Sequence, residues 1–243
     1  MTSSDLITCM KDIGIAYGNF AALYDINLDI HKGDFVGICG PNGSGKTTLL
    51  KAIIGLMKPI TGSLALFGQK IEDNIPKELR FKIAYVPQIS EIDRNFPARV
   101  IDVVEMGRYA KAGLAKPLTK EDKQKAMDAL RLVEMDYMAE RPIGHLSGGQ
   151  QQRVLIAQAL ATEAEVLLLD EFTSALDIHM TEEVMELLDY LNHTHGITIV
   201  TVGHNLEILK AYCNRIICLN KFIAFDGSPK DPKLEEIIIQ LFH

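Results

Sequence analysis

The segment "GPNGSGKT", residues Gly40–Thr47, is the feature that most constrains the fold of this chain. It matches G-x-x-x-x-G-K-[ST], a pattern typical of loops that wrap around phosphate groups. An apolar run, "FVGIC", precedes it, and a run with helical spacing, "KTTLLKAIIGLM", continues from it and stops before Pro59. A strand, a glycine-rich loop and a helix in this order predict an α/β fold that holds an anion where the strand ends.

We call Gly40–Thr47 the phosphate loop. Its glycines let the backbone curl so that N–H groups point inward, and the helix that begins at Lys46 adds the positive end of its dipole. Lys46 is predicted to reach the β- and γ-phosphates of a nucleotide, and the Thr47 hydroxyl to ligate Mg²⁺. The alternative is a glycine-rich turn without a ligand, which the flanking strand and helix argue against. The candidate nucleotide-binding residues here are Gly40, Pro41, Asn42, Gly43, Ser44, Gly45, Lys46, Thr47 and Thr48.

The rest of the chain alternates between strand and helix patterns. In "ALYDINLDIHKGD" apolar and polar residues interleave, whereas "EVLLLDE" is a continuous apolar run, as expected of a central parallel strand. "GSLALFGQKI", "KIAYVPQ", "ITIVTVG", "RIICL" and "FIAF" also predict strands, and a helix is predicted near 179–193. Between about 98 and 161 the pattern is helical, with a capping box at Thr119-x-x-Asp122.

These patterns predict one α/β domain over residues 1–243 with a mostly parallel central sheet. Its core, about residues 1–97 and 162–243, includes an N-terminal antiparallel β-subdomain. The helical lobe, about residues 98–161, is inserted into that core.

Two acids, Asp170 and Glu171, end the apolar run "VLLL". Phosphate-loop ATPases need a carboxylate on the strand beside the loop to hold Mg²⁺, and Asp170 suits that role. Glu171 can then polarise the attacking water as a general base. The alternative is a strand that simply reaches solvent, although two acids after a buried strand are costly without a cation nearby.

Three further residues are candidates by position. Gln88 and His204 follow predicted strands, where ligands of open α/β sheets bind, so Gln88 can reach Mg²⁺ or water and His204 a γ-phosphate. Tyr17 precedes the phosphate loop and can stack on adenine. Taken singly, each has an ordinary alternative: a solvated loop residue for Gln88 and His204, a core tyrosine for Tyr17.

Composition argues against several classes of protein. A formal net charge of −7 makes the surface a poor counterion for nucleic acid, so no nucleic-acid partner is predicted. No apolar run reaches the length of about 18–20 residues that crosses a bilayer, and the start "MTSSDLITCMKD" lacks a secretory signal. The sequence therefore predicts a cytoplasmic location. The four scattered cysteines form no C-x-x-C pair and are predicted to be free thiols.

The segment "LSGGQ", Leu146–Gln150, gives a helix an unusually glycine-rich start. Taken alone it is a serine N-cap followed by a flexible glycine pair. The phosphate loop, Gln88, "LSGGQ", two acids, "SALD" and His204 occur in that order, however. The chain thus resembles, over nearly all its length, the ATP-binding subunits of ABC transporters, and is most similar to the subgroup that serves zinc, manganese and iron importers.

The resemblance implies that two copies pair head to tail, with each ATP between the phosphate loop of one copy and the LSGGQ segment of the other. It implies ATP and Mg²⁺ as cofactors and assigns roles by position. Catalytic roles fall to Glu171, His204, Lys46 and Gln88; the metal to Thr47, Gln88 and Asp170; adenine stacking to Tyr17; the second phosphate contact to Ser147, Gly148, Gly149 and Gln150; and contact with the opposite subunit to Ser174–Asp177.

Three positions depart from the family pattern. Phe172 stands where proline is usual, Gly203 where threonine or serine is common, and Asn205 where aspartate is common. None of them removes a catalytic group. They predict a less rigid loop after Glu171, a changed setting of His204 and slow turnover.

The resemblance also implies the partners: a paired ATPase subunit, identical or not, an integral membrane permease, and an external substrate-binding protein. The chain would lie on the inner face of the cell membrane, with residues 95–113 as the expected permease contact. That segment and "CLNKFIAFDG" resemble those of metal importers. The alternatives are transport of another substrate, a soluble ATPase of the iron–sulfur-assembly type, and a module that binds ATP without hydrolysing it.

Overall fold

Six strands form the central sheet of the computed structural model, which describes residues 5–88, 92–93, 96–113 and 116–242. The strand order is β10-β9-β3-β8-β7-β6, and every neighbouring pair is parallel except the antiparallel edge pair of β10 and β9. The mostly parallel central sheet is therefore confirmed. Its strands are β3 (Phe35–Cys39), β6 (Ile83–Val86), β7 (Val166–Leu169), β8 (Thr198–Val202), β9 (Arg215–Leu219) and β10 (Ile223–Gly227).

The continuous apolar runs of this sheet arise because its two faces are covered by different cores. On β7, Leu167 and Leu169 belong to the core shared with the lobe, whereas Val166 and Leu168 belong to the core shared with the β-subdomain. Successive side chains of a strand point to opposite faces, so a strand buried on both sides must be apolar at every position.

A second, antiparallel sheet of four strands packs on one side, in the order β2-β1-β4-β5. On β2, Leu23, Ile26, Leu28 and Ile30 are buried and the acids between them are exposed, but Leu23 and Ile26 are three residues apart rather than two. Asp25, at φ 50°, lies between them, and the pairing with β1 shifts register nearby, so an irregularity restores the inward face. The strands are β1 (Leu6–Tyr17), β2 (Phe20–His31), β4 (Thr61–Leu66) and β5 (Gln69–Ile71).

Three of the eight helices of the described residues form the lobe. The predicted capping box at Thr119 and Asp122 is confirmed, with the Thr119 side chain accepting from the Asp122 N–H and the Asp122 carboxylate accepting from the Thr119 N–H. The helices are α1 (Lys46–Ile53), α2 (Lys77–Arg80), α3 (Val100–Ala112), α4 (Lys120–Leu132), α5 (Gly148–Ala161), α6 (Ile178–His195), α7 (Leu206–Tyr212) and α8 (Lys233–Phe242). The lobe contains α3, α4 and α5, together with two short 3₁₀ turns, Asp136–Met138 and Ile143–His145.

One buried arginine ties the three lobe helices together. Arg108 of α3 is 4% exposed, and its guanidinium donates to Asp122 at the start of α4, at 2.9 and 3.1 Å. It also donates to the carbonyl of Ala161, the last residue of α5, at 2.6 Å. Hydrogen bonds from Thr119 and then Arg108 lower the pKa of Asp122 to about 2. Because a buried charge is costly when unpaired, this group of bonds fixes how α5 sits in the lobe.

The structure corrects two sequence-based boundaries. Helix α1 ends at Ile53 rather than just before Pro59, because Gly55, at φ 68°, turns the chain away from the helix. The segment "GSLALFGQKI" is a hairpin of β4 and β5 and not one strand, with its turn at Phe67 and Gly68, both at positive φ.

The four cysteines are free, as predicted, and Cys39, Cys213 and Cys218 are buried. In the part of the chain that the structure describes, no helix combines the length and apolar character needed to span a bilayer.

Candidate functional site

The carboxyl ends of four parallel strands meet at one edge of the central sheet. Along that edge lie the phosphate loop after β3, Gly203 and His204 after β8, Asp170 and Glu171 after β7, and Pro87 and Gln88 after β6. Although β8 lies between β3 and β7, Asp170 still lies beside the phosphate loop, with its Oδ1 3.0 Å from Thr47 Oγ1. The strand order still places the predicted residues along one edge of the sheet, as in other open α/β sheets.

The phosphate loop has a backbone that only glycine fits at two points. Gly40 lies at φ 154°, and a Cβ there would approach the Leu219 carbonyl oxygen to 2.1 Å. Gly45 lies at φ 97°, and a Cβ there would lie 2.5 Å from Cδ2 of Leu23. The loop is therefore held between β9 and β2, and its curled shape is fixed by packing.

Lys46 points back into the loop. It is 5% exposed, and its Nζ donates to the carbonyls of Gly40 and Pro41 at 3.0 and 3.1 Å. Burial lowers the pKa of Lys46, while the charge of Glu171 acts in the opposite direction. The Ser44 Oγ is buried and has no hydrogen-bond partner among the described residues. A buried cation and an unused hydroxyl inside a glycine cradle fit a phosphate group.

A cleft of 320 Å³ opens beside the loop. Tyr17 stands at its side, half-exposed, with its hydroxyl 3.4 Å from Thr48 Oγ1. The lining residues are Tyr17, Ala22, Asn42, Gly43, Ser44, Gly45, Lys46, Thr47, Thr48 and Glu171. An open cleft with an aromatic ring at one end and phosphate-binding groups at the other can hold a nucleotide.

Asp170 is 3% exposed and accepts two hydrogen bonds from hydroxyl groups. Thr47 Oγ1 donates to Asp170 Oδ1 at 3.0 Å, and the hydroxyl of Tyr85 donates to Asp170 Oδ2 at 2.9 Å. Burial, followed by the hydrogen bond to Asp170 and its charge, raises the pKa of Tyr85, so the phenol stays a donor. A carboxylate and a threonine hydroxyl at the foot of the loop are oxygen ligands suited to Mg²⁺.

The sequence interpretation missed Tyr85. The signal was present, because a tyrosine in an apolar strand needs a partner for its hydroxyl and the neighbouring strand ends in Asp170. Without the strand order, however, no sequence pattern identifies which acid that partner is.

Glu171 lies between two cationic or donor groups. Its Oε1 is 2.9 Å from His204 Nε2 and 3.9 Å from Lys46 Nζ, and its side chain is 18% exposed. Its backbone is at φ 46°, and this conformation is strained for any residue other than glycine. The fold thus aims this carboxylate at the mouth of the phosphate loop and holds it with His204.

Gln88 is hydrogen-bonded to the segment that follows Glu171. Its side-chain amide donates to Ser174 Oγ at 3.2 Å, and no bond from Gln88 to Thr47 or Asp170 is present among the described contacts. The side chain of Asp177, at the end of "SALD", accepts from the Met180 N–H and caps α6. The segment between Glu171 and α6 is thus fixed at one end by a helix cap and is in contact with Gln88.

The LSGGQ segment forms the start of α5, and its serine makes a capping box. Ser147 Oγ accepts from the Gln150 N–H at 3.3 Å, and Gln150 Oε1 accepts from the Ser147 N–H at 3.0 Å. None of Leu146–Gln150 is among the described residues that line the phosphate-loop cleft. One chain therefore presents two separate surfaces with the chemistry to bind an anion: the phosphate loop, and the start of a helix with N–H groups and an exposed Ser147.

Each departure from the family pattern has a local physical explanation. Phe172 is 2% exposed and packs into the core shared with the lobe, which anchors the backbone next to Glu171. A Cβ at Gly203 would lie 3.3 Å from Leu209 Cδ2, so glycine keeps that contact relaxed. Asn205 caps α7, its Oδ1 accepting from the Ile208 N–H at 3.2 Å. Slow turnover stays a prediction.

Comparisons with known proteins agree with the geometry of the site. The profile of the family described as "ABC transporter" matches residues 23–174. The chain is 44% identical to the "Zinc uptake system ATP-binding protein ZurA" of Listeria innocua over 220 residues, or 90% of this chain and 84% of that protein. It is 44% identical to the "Manganese transport system ATP-binding protein MntB" of the same species over 230 residues, or 94% and 93% of the two chains.

A solved structure described as a dimeric, post-hydrolysis state of the ATP-binding cassette MJ0796 bound to ADP and Pi has a TM-score of 0.76 with this chain. The two are 32% identical, and the match covers 93% of this chain and 100% of that one. The fold of this chain is thus similar, over nearly its whole length, to that of a cassette captured with the products of ATP hydrolysis.

Proposed function

This chain belongs to the ABC transporter family and hydrolyses ATP, and we propose that it drives a membrane permease which imports a transition-metal ion. The single observation that carries the substrate class is the similarity over 90% or more of the chain to ATP-binding proteins of zinc and manganese transport systems. The transported ion would be the cargo of the permease and not a ligand of this chain.

The first step proposed is the binding of ATP in the cleft beside the phosphate loop. Loop N–H groups and Lys46 would bind the β- and γ-phosphates, because the buried ammonium already lies inside the cradle and exchanges carbonyl partners for phosphate oxygens. Thr47 and Asp170, and Gln88 after leaving Ser174, would hold Mg²⁺, which supplies charge neutralisation on the phosphates.

The second step proposed is hydrolysis. Water attacks the γ-phosphorus, the bond to the ADP oxygen breaks, and the carboxylate of Glu171 accepts the proton of the water. His204, 2.9 Å from Glu171 Oε1, would orient that carboxylate and contact the γ-phosphate when it is present. Glu171 thus serves as the base and His204 as the residue that senses the phosphate.

Two copies would share each nucleotide. The LSGGQ segment carries donors and a helix N-terminus but lies outside its own chain's cleft, so a second molecule must provide the phosphate that it contacts. Pairing head to tail places Ser147, Gly148, Gly149 and Gln150 of one copy over the γ-phosphate in the other. Residues Ser174–Asp177, beside Gln88, would contact the opposite copy.

The permease would contact the segment that runs into α3, residues 95–113, of which Asn95 lies outside the described residues. Met106 and Tyr109 of α3 are about half-exposed, as a contact surface requires. An external substrate-binding protein would deliver the ion. This arrangement places the chain on the inner face of the membrane, attached through the permease.

Replacing Tyr17 separates its stacking role from its hydroxyl. We expect Tyr17→Ala to weaken ATP binding by about fivefold to a hundredfold, since stacking of a base on an aromatic ring contributes about 1–3 kcal/mol. Tyr17→Phe keeps the ring, loses only the long contact to Thr48, and should bind ATP within about twofold of the unchanged chain. Calorimetric titration measures both. Equal weakening in the two variants would contradict stacking.

The substrate class is tested by deleting the gene for this chain and measuring uptake of zinc, manganese and iron. Uptake of at least one metal should fall, and it should return with the unchanged gene but not with the Glu171→Gln variant. Capture of the chain from detergent-solubilised membranes should recover an integral membrane protein. Unchanged uptake of all three metals would contradict metal import, and capture of soluble partners alone would favour an iron–sulfur-assembly ATPase.

A further inference from the structure

Tyr85 is tied to the buried acid of the site from outside the phosphate loop. It lies on β6, the edge strand of the central sheet, opposite Leu168 of β7. Its hydroxyl reaches past the end of β7 and donates to Asp170 Oδ2 at 2.9 Å. The other carboxylate oxygen, Asp170 Oδ1, accepts from Thr47 at 3.0 Å.

These two bonds fix the orientation of the carboxylate. Asp170 is 3% exposed, so bulk water cannot solvate it freely, and its oxygens depend on partners from the protein. With one donor on each oxygen, rotation of the carboxylate about its own axis would break both bonds. If the Tyr85 bond were lost, the group would be free to turn about the remaining contact with Thr47.

The orientation of Asp170 in turn decides what Thr47 can do. A hydroxyl has one proton to donate and two lone pairs. While Thr47 gives its proton to Asp170 Oδ1, its lone pairs stay directed away from the acid and are available to a cation. If Asp170 turned, the Thr47 proton would follow it, and the lone pairs would no longer point to the same place.

We propose that Tyr85 is a positioning residue for divalent-cation binding, acting through Asp170 on Thr47. This inference rests on the proposed function, because it assumes that Thr47 and Asp170 hold Mg²⁺. Tyr85 itself does not touch nucleotide or cation. Groups that orient metal ligands through hydrogen bonds commonly change metal affinity about 10- to 100-fold when removed.

A substitution that removes only the hydroxyl is available. The Tyr85 ring packs against the core shared with the β-subdomain, and the residue lines surface clefts of 480 and 340 Å³. In Tyr85→Phe the ring keeps this packing, so the edge strand is preserved and only the bond to Asp170 is lost.

The experiment measures Mn²⁺, a spectroscopic substitute for Mg²⁺, by electron paramagnetic resonance on the full chain with saturating ATP. All variants carry Glu171→Gln so that ATP persists. Tyr85→Phe should raise the dissociation constant of Mn²⁺ about tenfold or more, while ATP binding in EDTA changes less than about twofold. Tyr137→Phe, an exposed tyrosine of the lobe, is the matched control, and Asp170→Asn should abolish the strong Mn²⁺ site.

The possible results distinguish a failure of the role proposed for Tyr85 from a failure of the proposed function. Failure of the Glu171→Gln chain itself to bind ATP or Mn²⁺ would contradict the proposed site. Strong Mn²⁺ binding in that chain with an unchanged constant in Tyr85→Phe would overturn the role of Tyr85 alone. Equal weakening of ATP binding with and without the cation would also overturn it, since Tyr85 would then support the loop and not the cation.

Discussion

Glu171→Gln is expected to lower the rate of ATP hydrolysis by about two to four orders of magnitude, the range that a positioned general base contributes. Glutamine has the same shape but cannot accept the proton of the attacking water. ATP binding should survive, because Lys46 and the loop N–H groups bind the phosphates and Glu171 lies 3.9 Å from Lys46 at the mouth. Phosphate release and calorimetric titration with ATP measure the two effects separately.

The same variant should accumulate as an ATP-bound dimer on a sizing column, because the closed state no longer decays by hydrolysis. Glu165→Gln is a matched control. This exposed acid is paired with Lys82 at 2.7 Å and lies at the amino end of β7, whereas the site lies at its carboxyl end. Hydrolysis in Glu171→Gln within threefold of the unchanged chain would exclude Glu171 as the base. A persistent monomer with bound ATP would argue against a shared site.

Ser147→Asp is expected to reduce hydrolysis about a hundredfold to a thousandfold. Two unit charges about 4 Å apart at an effective dielectric constant of about 20 repel by about 4 kcal/mol, which corresponds to about three powers of ten in rate. Aspartate is as good an N-cap as serine, so α5 should keep its start. Ser147→Asn, a neutral N-cap of the same size as aspartate, should retain most of the activity.

Mixing two inactive variants tests which copy supplies which surface. Lys46→Ala disables the phosphate loop, and Ser147→Asp disables the LSGGQ segment. In a head-to-tail dimer, one mixed pair contains one site with both defects and one intact site. Random pairing of equal amounts should then restore about one quarter of the unchanged activity, since half the dimers are mixed and half of their sites are intact. No recovery on mixing would mean that each chain uses its own LSGGQ segment.

Much of the fold is predictable because local patterns agree with the final packing. The apolar run before Asp170 becomes a strand covered on both faces, and the spacing of Thr119 and Asp122 becomes a capping box at the start of α4. The phosphate loop is readable for the same reason, since its glycines, lysine and threonine lie in one short stretch. These features depend on neighbours in sequence.

What the sequence does not predict depends on contacts between distant segments. The position of β8 between β3 and β7, the bond from Tyr85 to Asp170 and the ties of Arg108 to α4 and α5 all join residues with no recognisable joint spacing. The end of α1 was also missed, because apolar residues after Ile53 continue the helical pattern while Gly55 ends the helix. Contacts between residues far apart in sequence therefore have to be taken from the structure.

The backbone at Glu171 has one more consequence. A left-handed conformation costs a residue with a Cβ about 1–2 kcal/mol, and glycine would adopt the same φ of 46° without that cost. Phe172, buried immediately after it, holds the chain in that conformation. The residue at this position thus trades stability for activity. Selecting variants for thermal stability alone would favour glycine here, and the resulting chain would lack the carboxylate needed to hydrolyse ATP.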